Sequence, residues 1–181
     1  MMKVGSITKD MLLSKEVVSF ATLTAAAVLF PLLGDQMITG PLVNATLFLG
    51  VMLIGVRGAV LIAMFPSIIA LSTGLLPAIM APMVPFIIMG NVLLVLVFDQ
   101  LKKSPVKGIL FSSFAKFVFL FASSSLVIDL LIKEAAATQV ATMMSWPQFI
   151  TALIGGFLAY LLVRMRGLCY TELLKKSVRN Q

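Results

Sequence analysis

Long stretches without a charged residue constrain the fold of this chain more than any other feature. Between the charged segments, apolar runs reach about 17 to 25 residues, which as helices rising about 1.5 Å per residue would cross roughly 30 Å of hydrocarbon. Of the 181 residues, 60% are hydrophobic and 12% are charged, against about half and a quarter in soluble domains. The alternation typical of membrane β-strands is missing from the sequence. We therefore predict an all-α membrane protein whose helices form one bundle.

The chain contains six apolar runs, and glycine or proline residues lie between them. The predicted transmembrane helices are Val17–Leu33, Pro41–Val56, Gly58–Leu76, Pro82–Phe98, Val106–Ile132 and Trp146–Val163. Lysine and arginine collect in the cytoplasmic loops of membrane proteins. With the amino terminus inside, the cytoplasmic segments hold all of the 14 basic residues except Lys116 and Lys133. An even number of spans with both termini in the cytoplasm follows.

The whole chain, residues 1–181, is predicted to be a single transmembrane domain. Residues 1–16 mix charges with apolar residues at helical spacing and are expected to lie along the inner membrane interface. Residues 164–181 are expected to form a cytoplasmic tail. The first span lacks a small-residue cleavage site after it, which favours a retained helix over a signal peptide. Outer loops are expected at Gly34–Gly40, Gly74–Ala81 and Lys133–Ser145.

Composition disfavours several classes of function. Histidine is absent, which removes the commonest general base and the commonest zinc ligand. The single cysteine, Cys169, cannot form an intramolecular disulfide or a thiolate cluster. We therefore expect no catalytic residue, no bound metal and no other cofactor. The net charge of +7 is explained by topology and by anionic lipid, so a nucleic-acid partner is not expected.

Lys116 is a charged residue inside a predicted span, and such residues usually face a cavity or a partner. Helical rise places Lys116 near the middle of the membrane and Asn91 at about the same depth, so the two side chains are expected to meet. At about 100° per residue, Ser112 and Ser123 share a helix face with Lys116, whereas Asp129 points roughly 140° away. The lysine is thus left to bind Asn91, backbone carbonyls or an anionic ligand that carries a carboxylate or phosphate.

Two interpretations of this polar group stay open. In the first, Lys116, Asn91, Ser112 and Ser123 line a substrate-binding site. In the second, Lys116 extends its stem toward cytoplasmic water, while the asparagine and the serines join helices through hydrogen bonds.

A second polar group lies around the first outer loop and the start of the second span, and comprises Gln36, Thr39 and Asn44. A loop with glycine at both ends could close over a cavity and contribute these side chains to a ligand site. The alternative is an ordinary solvated turn in which Pro41 starts the next helix.

The first span carries two pairs of small residues at a spacing of four, Ala21 with Ala25 and Thr22 with Ala26. Small residues at this spacing let another helix approach closely. Another helix could therefore pack closely against this face.

Together with these pairs, the six-span layout and the runs "ITGPLVNATLFLGVMLIG" and "PFIIMGNVLLVLVF" resemble the substrate-binding S components of energy-coupling factor (ECF) transporters. The resemblance implies a multi-pass subunit in the plasma membrane of a prokaryote that captures a vitamin-like micronutrient from outside. It also implies partners: a transmembrane coupling subunit that docks on the small-residue face of the first helix, and two cytoplasmic ATPase subunits. A P-loop is absent from this sequence, as expected if the ATPases are separate chains.

In that family the ligand is held by the first outer loop and the outer halves of the last three spans. The resemblance thus supports Gln36, Thr39, Asn91 and Ser123 as ligand contacts, whereas Lys116 lies deeper than a typical contact. Three other functions stay open. A membrane scaffold would have no ligand-sized cavity, a secondary transporter usually has repeats and coupling carboxylates, and an intramembrane enzyme would need a serine and lysine pair.

Overall fold

The computed structural model of the chain describes residues 3–74, 76–131 and 134–165. Eight α-helices follow one another in these ranges: α1 Lys3–Leu29, α2 Gln36–Ile54, α3 Val56–Ala63, α4 Phe65–Ser72, α5 Val84–Leu101, α6 Pro105–Leu131, α7 Glu134–Met143 and α8 Trp146–Met165. Two 3-10 turns, Phe30–Leu33 and Ala78–Met83, precede α2 and α5. The described residues contain no β-strand, which confirms the predicted all-α class.

Among the described residues, five helical segments are long and apolar enough to cross a membrane: Lys15–Leu33, Gln36–Ile54, Ala78–Leu101, Pro105–Asp129 and Ala137–Met165. The remaining predicted span, Gly58–Leu76, is occupied by the short helices α3 and α4, which meet at Met64. Pro66 lies in the first turn of α4 and has no N–H to continue the hydrogen bonding of α3. The protein is therefore a bundle of membrane-length apolar helices, while six spans and cytoplasmic termini stay predictions.

Two predicted outer loops are wrong, because both are largely helical. In the segment Gly34–Gly40, α2 already begins at Gln36, since the Asp35 carboxylate accepts a hydrogen bond from the Met37 N–H at 2.7 Å and caps the helix. Pro41 accordingly lies inside α2 rather than at its start. The segment Lys133–Ser145 contains α7. The predicted interfacial residues 1–16 run into α1 without a break from Lys3, and residues 166–181 of the predicted tail lie outside the described residues.

Helix α2 is the centre of the bundle and α1 lies at its edge. Half of the residues of Gln36–Ile54 are buried, against 17% of Lys15–Leu33. One apolar cluster surrounds Phe48 and Phe98, whose rings pack edge to face at 4.8 Å. A second cluster contains Met80, Leu120 and Met144. Close packing of α2 against α8 and of α5 against α6 therefore holds the centre of the molecule.

The turns define two ends of the bundle. The Gly34 end has the turns at Gly34, at Thr73–Gly74 and at Met144–Ser145, and the Gly55 end has those at Gly55 and at Lys102–Ser104. Arg57, Lys103 and Arg164 are exposed and lie at the Gly55 end. The predicted orientation, with the Gly55 end in the cytoplasm, requires basic residues to collect at this end.

Candidate functional site

Lys116 binds two asparagines in the interior of the bundle. Its Nζ donates to Asn44 Oδ1 and to Asn91 Oδ1, each at 2.8 Å. Lys116 is 3% exposed and both asparagines are 2% exposed. Because the three residues belong to α6, α2 and α5, this polar triad joins three helices. The predicted contact between Lys116 and Asn91 is confirmed.

Backbone carbonyls orient both amides of the triad. Asn44 Nδ2 donates to the Gly40 carbonyl at 2.8 Å, and Asn91 Nδ2 donates to the Ala63 carbonyl at 3.4 Å. Ala63 is the last residue of α3, next to the break at Met64. With each NH₂ group bound to a carbonyl, each amide oxygen is turned toward the lysine. The broken helix therefore helps to position the triad, as broken helices do at membrane binding sites.

A cavity of about 150 Å³ lies beside the triad and extends toward the Gly34 end. Its wall combines the three triad side chains with other polar groups and with a larger number of apolar groups. The polar residues beyond the triad are Gln36, Thr39, Ser67 and Gln148, and the apolar ones include Val43, Ala70, Leu76, Ile87, Met143 and Met144. An apolar pocket with a few converging polar groups is the usual form of a small-molecule site.

Two glutamines connect the walls of the cavity through one carbonyl group. Gln36 Nε2 donates to the Met143 carbonyl at 2.9 Å, and Gln148 Nε2 donates to the same oxygen at 3.1 Å. Gln36 is in the first turn of α2, Met143 ends α7 and Gln148 is in the first turn of α8. These two hydrogen bonds link the start of α2 to the connection between α7 and α8 at the Gly34 end.

The cavity is lined by one basic residue, Lys116, and by no described acidic residue. Both described partners of Lys116 Nζ are neutral amides. Burial of a cation is costly unless an anion or several hydrogen bonds compensate it. When the Lys116 amine is protonated, the described side chains around it solvate the charge through hydrogen bonds but do not neutralise it.

The structure brings together five of the seven predicted ligand contacts: Lys116, Asn91, Asn44, Gln36 and Thr39 all line the cavity. The sequence had separated them into two groups, which α2 joins by placing Asn44 against Lys116.

The two predicted serines are not brought to the cavity. Ser112 Oγ donates to the Ile109 carbonyl at 3.2 Å, and Ser123 Oγ donates to the Phe119 carbonyl at 2.7 Å, both within α6. Asp129 is exposed, in agreement with the angle predicted between it and Lys116.

Sequence reasoning missed two polar side chains of the cavity, Ser67 and Gln148. Ser67 follows Pro66, and a proline inside an apolar span is itself a signal of a break near a cavity. Gln148 lies in the first turn of α8 after Pro147, where it was indistinguishable from a solvated helix start.

The predicted docking residues lie on the peripheral helix. Ala21, Thr22 and Ala25 are exposed and Ala26 is half-buried. The Thr22 hydroxyl donates to the Val18 carbonyl at 2.8 Å within α1, so it presents little unbound polar surface. This small-residue face is therefore open on the outside of the bundle and lies on a different helix from the triad.

A buried ammonium group, held by two oriented amides at the base of a partly apolar cavity, can bind an anionic or strongly polar molecule of modest size. The described residues around it supply hydrogen-bond donors and a positive charge. No protein-family model, curated protein or solved structure matches this chain.

Proposed function

We propose that this chain is the substrate-binding S subunit of an ECF-type importer in the plasma membrane of a prokaryote. In this proposal the cavity at the Gly34 end captures a small, vitamin-like micronutrient from outside the cell. A transmembrane coupling subunit and two cytoplasmic ATPases then drive its delivery inward. The chain itself carries out binding and a change of orientation, and no covalent chemistry.

The observation that carries the proposal is the cavity beside Lys116. A side chain that is both charged and 3% exposed is costly to keep inside an apolar bundle, and intramembrane charges usually serve function. Here the charge adjoins a volume of about 150 Å³ instead of being sealed by packing. A membrane scaffold has no need for such a cavity, so ligand binding is favoured over scaffolding.

The position of the cavity supports capture from outside. The cavity reaches Gly34 and Gln36, at the end of the bundle opposite the exposed residues Arg57, Lys103 and Arg164. Basic residues mark the cytoplasmic side of a membrane protein. By that rule the cavity is accessible from the exterior and the Gly55 end faces the cytoplasm.

A secondary transporter is the second candidate, and the lining of the cavity disfavours it. Such transporters commonly bind their coupling ion through carboxylates or unwound backbone near the midplane. The described residues that line this cavity include no aspartate or glutamate. A serine and lysine enzyme is disfavoured as well, because Ser112 and Ser123 bond within α6 and lie outside the cavity.

We expect the protein purified from its native membrane to retain a small molecule that mass spectrometry detects after denaturation. The variant Lys116→Met should retain it with an affinity lower by at least about tenfold, because one charge-assisted hydrogen bond accounts for roughly that factor. Lys107→Met is the matched control, since Lys107 is an exposed lysine of the same helix.

The control should bind like the unmodified protein. Equal affinity of the Lys116 variant and the Lys107 variant would remove the triad from the site. If neither released molecules nor saturable binding are found with the folded protein, the importer proposal fails.

We expect the double variant Ala21→Leu/Ala25→Leu to lose association with the coupling subunit and to keep its ligand. Both alanines are exposed on α1, so the leucines add bulk where a partner helix would approach without filling the bundle. The measurement is co-purification with the coupling subunit, accompanied by ligand analysis of the same sample. Ala122→Leu, which adds the same bulk at an exposed alanine of α6, is the control. Unchanged co-purification of the double variant would contradict the docking assignment.

A further inference from the structure

We infer that the cavity selects a short monocarboxylate, a ligand with one negative charge and a compact apolar body. The inference rests on the proposed function, because it assigns a chemical class to the ligand of the same cavity. Three properties of the site lead to it: its charge, its hydrogen-bonding capacity and its volume.

With Lys116 as an ammonium group, charge balance favours a ligand with a single negative charge. Lys116 is the one charged residue among the described residues that line the cavity. A monoanion neutralises it, a dianion leaves one buried negative charge without a partner, and a cation adds a second positive charge. A neutral ligand leaves the ammonium group as it is. Charge balance thus favours one carboxylate over two, and over a doubly charged phosphate.

Hydrogen-bonding capacity points to a ligand group that only accepts. An ammonium group has three donors, and two of those on Lys116 are directed to Asn44 Oδ1 and Asn91 Oδ1. The third donor remains for a ligand. Each amide also has two N–H groups, of which one is directed to the carbonyl of Gly40 or Ala63. A carboxylate accepts hydrogen bonds through both oxygens and donates none, so it complements these donors.

Volume and lining describe the rest of the ligand. A cavity of about 150 Å³ is similar in size to one that holds benzene, which corresponds to roughly six to eight non-hydrogen atoms. Val43, Leu76 and Ile87 contribute apolar surface to the same cavity. A short aliphatic or aromatic group attached to the carboxylate would therefore occupy the space away from Lys116.

Four probes of similar size separate the possible classes. Butyrate is the monoanion, butyramide its neutral analogue, succinate the dianion and butylammonium the cation. The full-length protein is freed of retained molecules by extensive dialysis in detergent, and each probe is titrated at constant ionic strength while thermal unfolding is followed. Butyrate should stabilise the protein at concentrations at least about tenfold below those that butyramide or succinate requires.

A substitution inside the triad tests the charge argument directly. Asn91→Asp supplies an internal carboxylate in place of the neutral amide. The nearly isosteric change loses the hydrogen bond from Nδ2 to the Ala63 carbonyl, which is long at 3.4 Å and therefore weak. With Lys116 neutralised from within, the preference for butyrate over butyramide should disappear while the protein stays folded. Lys107→Met, outside the cavity, should keep the full preference.

Stronger stabilisation by succinate, by butyramide or by butylammonium would overturn the monocarboxylate class. Each of these results would still leave a saturable site, so the proposed function would stand with a different ligand. A preference for butyrate that survives in Asn91→Asp would also overturn the inference, because the binding would then lie elsewhere. If no probe stabilises the protein and no retained molecule is found by mass spectrometry, the inference and the proposed function both fail.

Discussion

Replacement of Asn91 by leucine should lower the free energy of unfolding by about 3 kcal/mol, because it leaves a buried charge with one fewer hydrogen bond. Asn91 Oδ1 accepts from Lys116 Nζ at 2.8 Å and its Nδ2 donates to the Ala63 carbonyl. Leucine keeps the branched arrangement of four side-chain heavy atoms, and its larger methyl groups border the cavity, so packing contributes less to the loss than the broken hydrogen bonds. The measurement is an unfolding titration of the purified protein in detergent.

The cause of this loss can be isolated by a second substitution. In Asn91→Leu/Lys116→Met the charge is removed together with its partner, and the double variant should regain most of the lost stability, to within about 1 kcal/mol of Lys116→Met alone. Removal of one member of a buried polar pair is costly, whereas removal of both is often nearly neutral. The two substitutions should therefore be strongly non-additive.

Thr46→Val is the matched control for loss of a buried polar group. Thr46 is 2% exposed, like Asn91, but its hydroxyl donates to the Leu42 carbonyl of its own helix at 2.9 Å and so serves no charge. Its substitution should cost no more than about 1 kcal/mol. An Asn91→Leu variant as stable as this control would mean that water in the cavity replaces the amide, and the triad would then have no structural role.

The sequence was sufficient to predict that Lys116 and Asn91 meet, because depth in a membrane helix follows from residue counting. It was not sufficient to add Asn44 to them. That asparagine was grouped with the first outer loop and the start of the second span, since Pro41 was taken as the helix start. The carboxylate of Asp35 begins α2 five residues before the proline, and this continuous helix carries Asn44 to the lysine.

Helix periodicity explains the serines only in part. Ser112 and Ser123 share the face of Lys116 in angle, yet neither lines the cavity. A hydroxyl group inside an apolar helix can bind a carbonyl of the preceding turn, as Ser123 does with Phe119 at 2.7 Å. The angles of residues around a helix do not show which hydroxyl groups bond to the backbone of their own helix. These angles therefore overestimate how many polar side chains reach a ligand.

The break of the third predicted span has a signal in the sequence and a consequence for the site. Pro66 lies inside the apolar run of this span, a position that favours a kink or break, and α3 ends at Ala63, close before it. The sequence does not reveal the hydrogen-bond partner of the buried Ala63 carbonyl at the end of α3, which is the Asn91 amide of α5. Pairings between distant helices depend on how the bundle packs, and residue spacing alone does not determine them.

Gly155 is a point of close approach between α8 and α2, beside Asn44 of the triad. An added Cβ would lie 2.5 Å from the Pro41 carbonyl oxygen, 2.7 Å from Asn44 Cβ and 2.8 Å from the Ala45 nitrogen. Two of these three neighbours are backbone atoms, which cannot move unless a whole helix moves. The glycine therefore sets the separation of the two helices and, through α2, the position of Asn44.

Gly155→Ala should lower the free energy of unfolding by about 3 kcal/mol, the upper part of the usual range for overpacking, and should weaken ligand retention because Asn44 is displaced from Lys116. Gly90→Ala is the matched control: its added Cβ would meet the Leu120 side chain at 3.1 to 3.4 Å, and a leucine can change its rotamer to relieve the contact. Both variants replace a helical glycine by alanine, so the change in helix propensity is the same in both. The difference between their free energies of unfolding therefore measures the cost of crowding α8 against α2. Equal stability of the two alanine variants in an unfolding titration would show that α8 can move away from α2 at little cost, and the triad would then not depend on this contact.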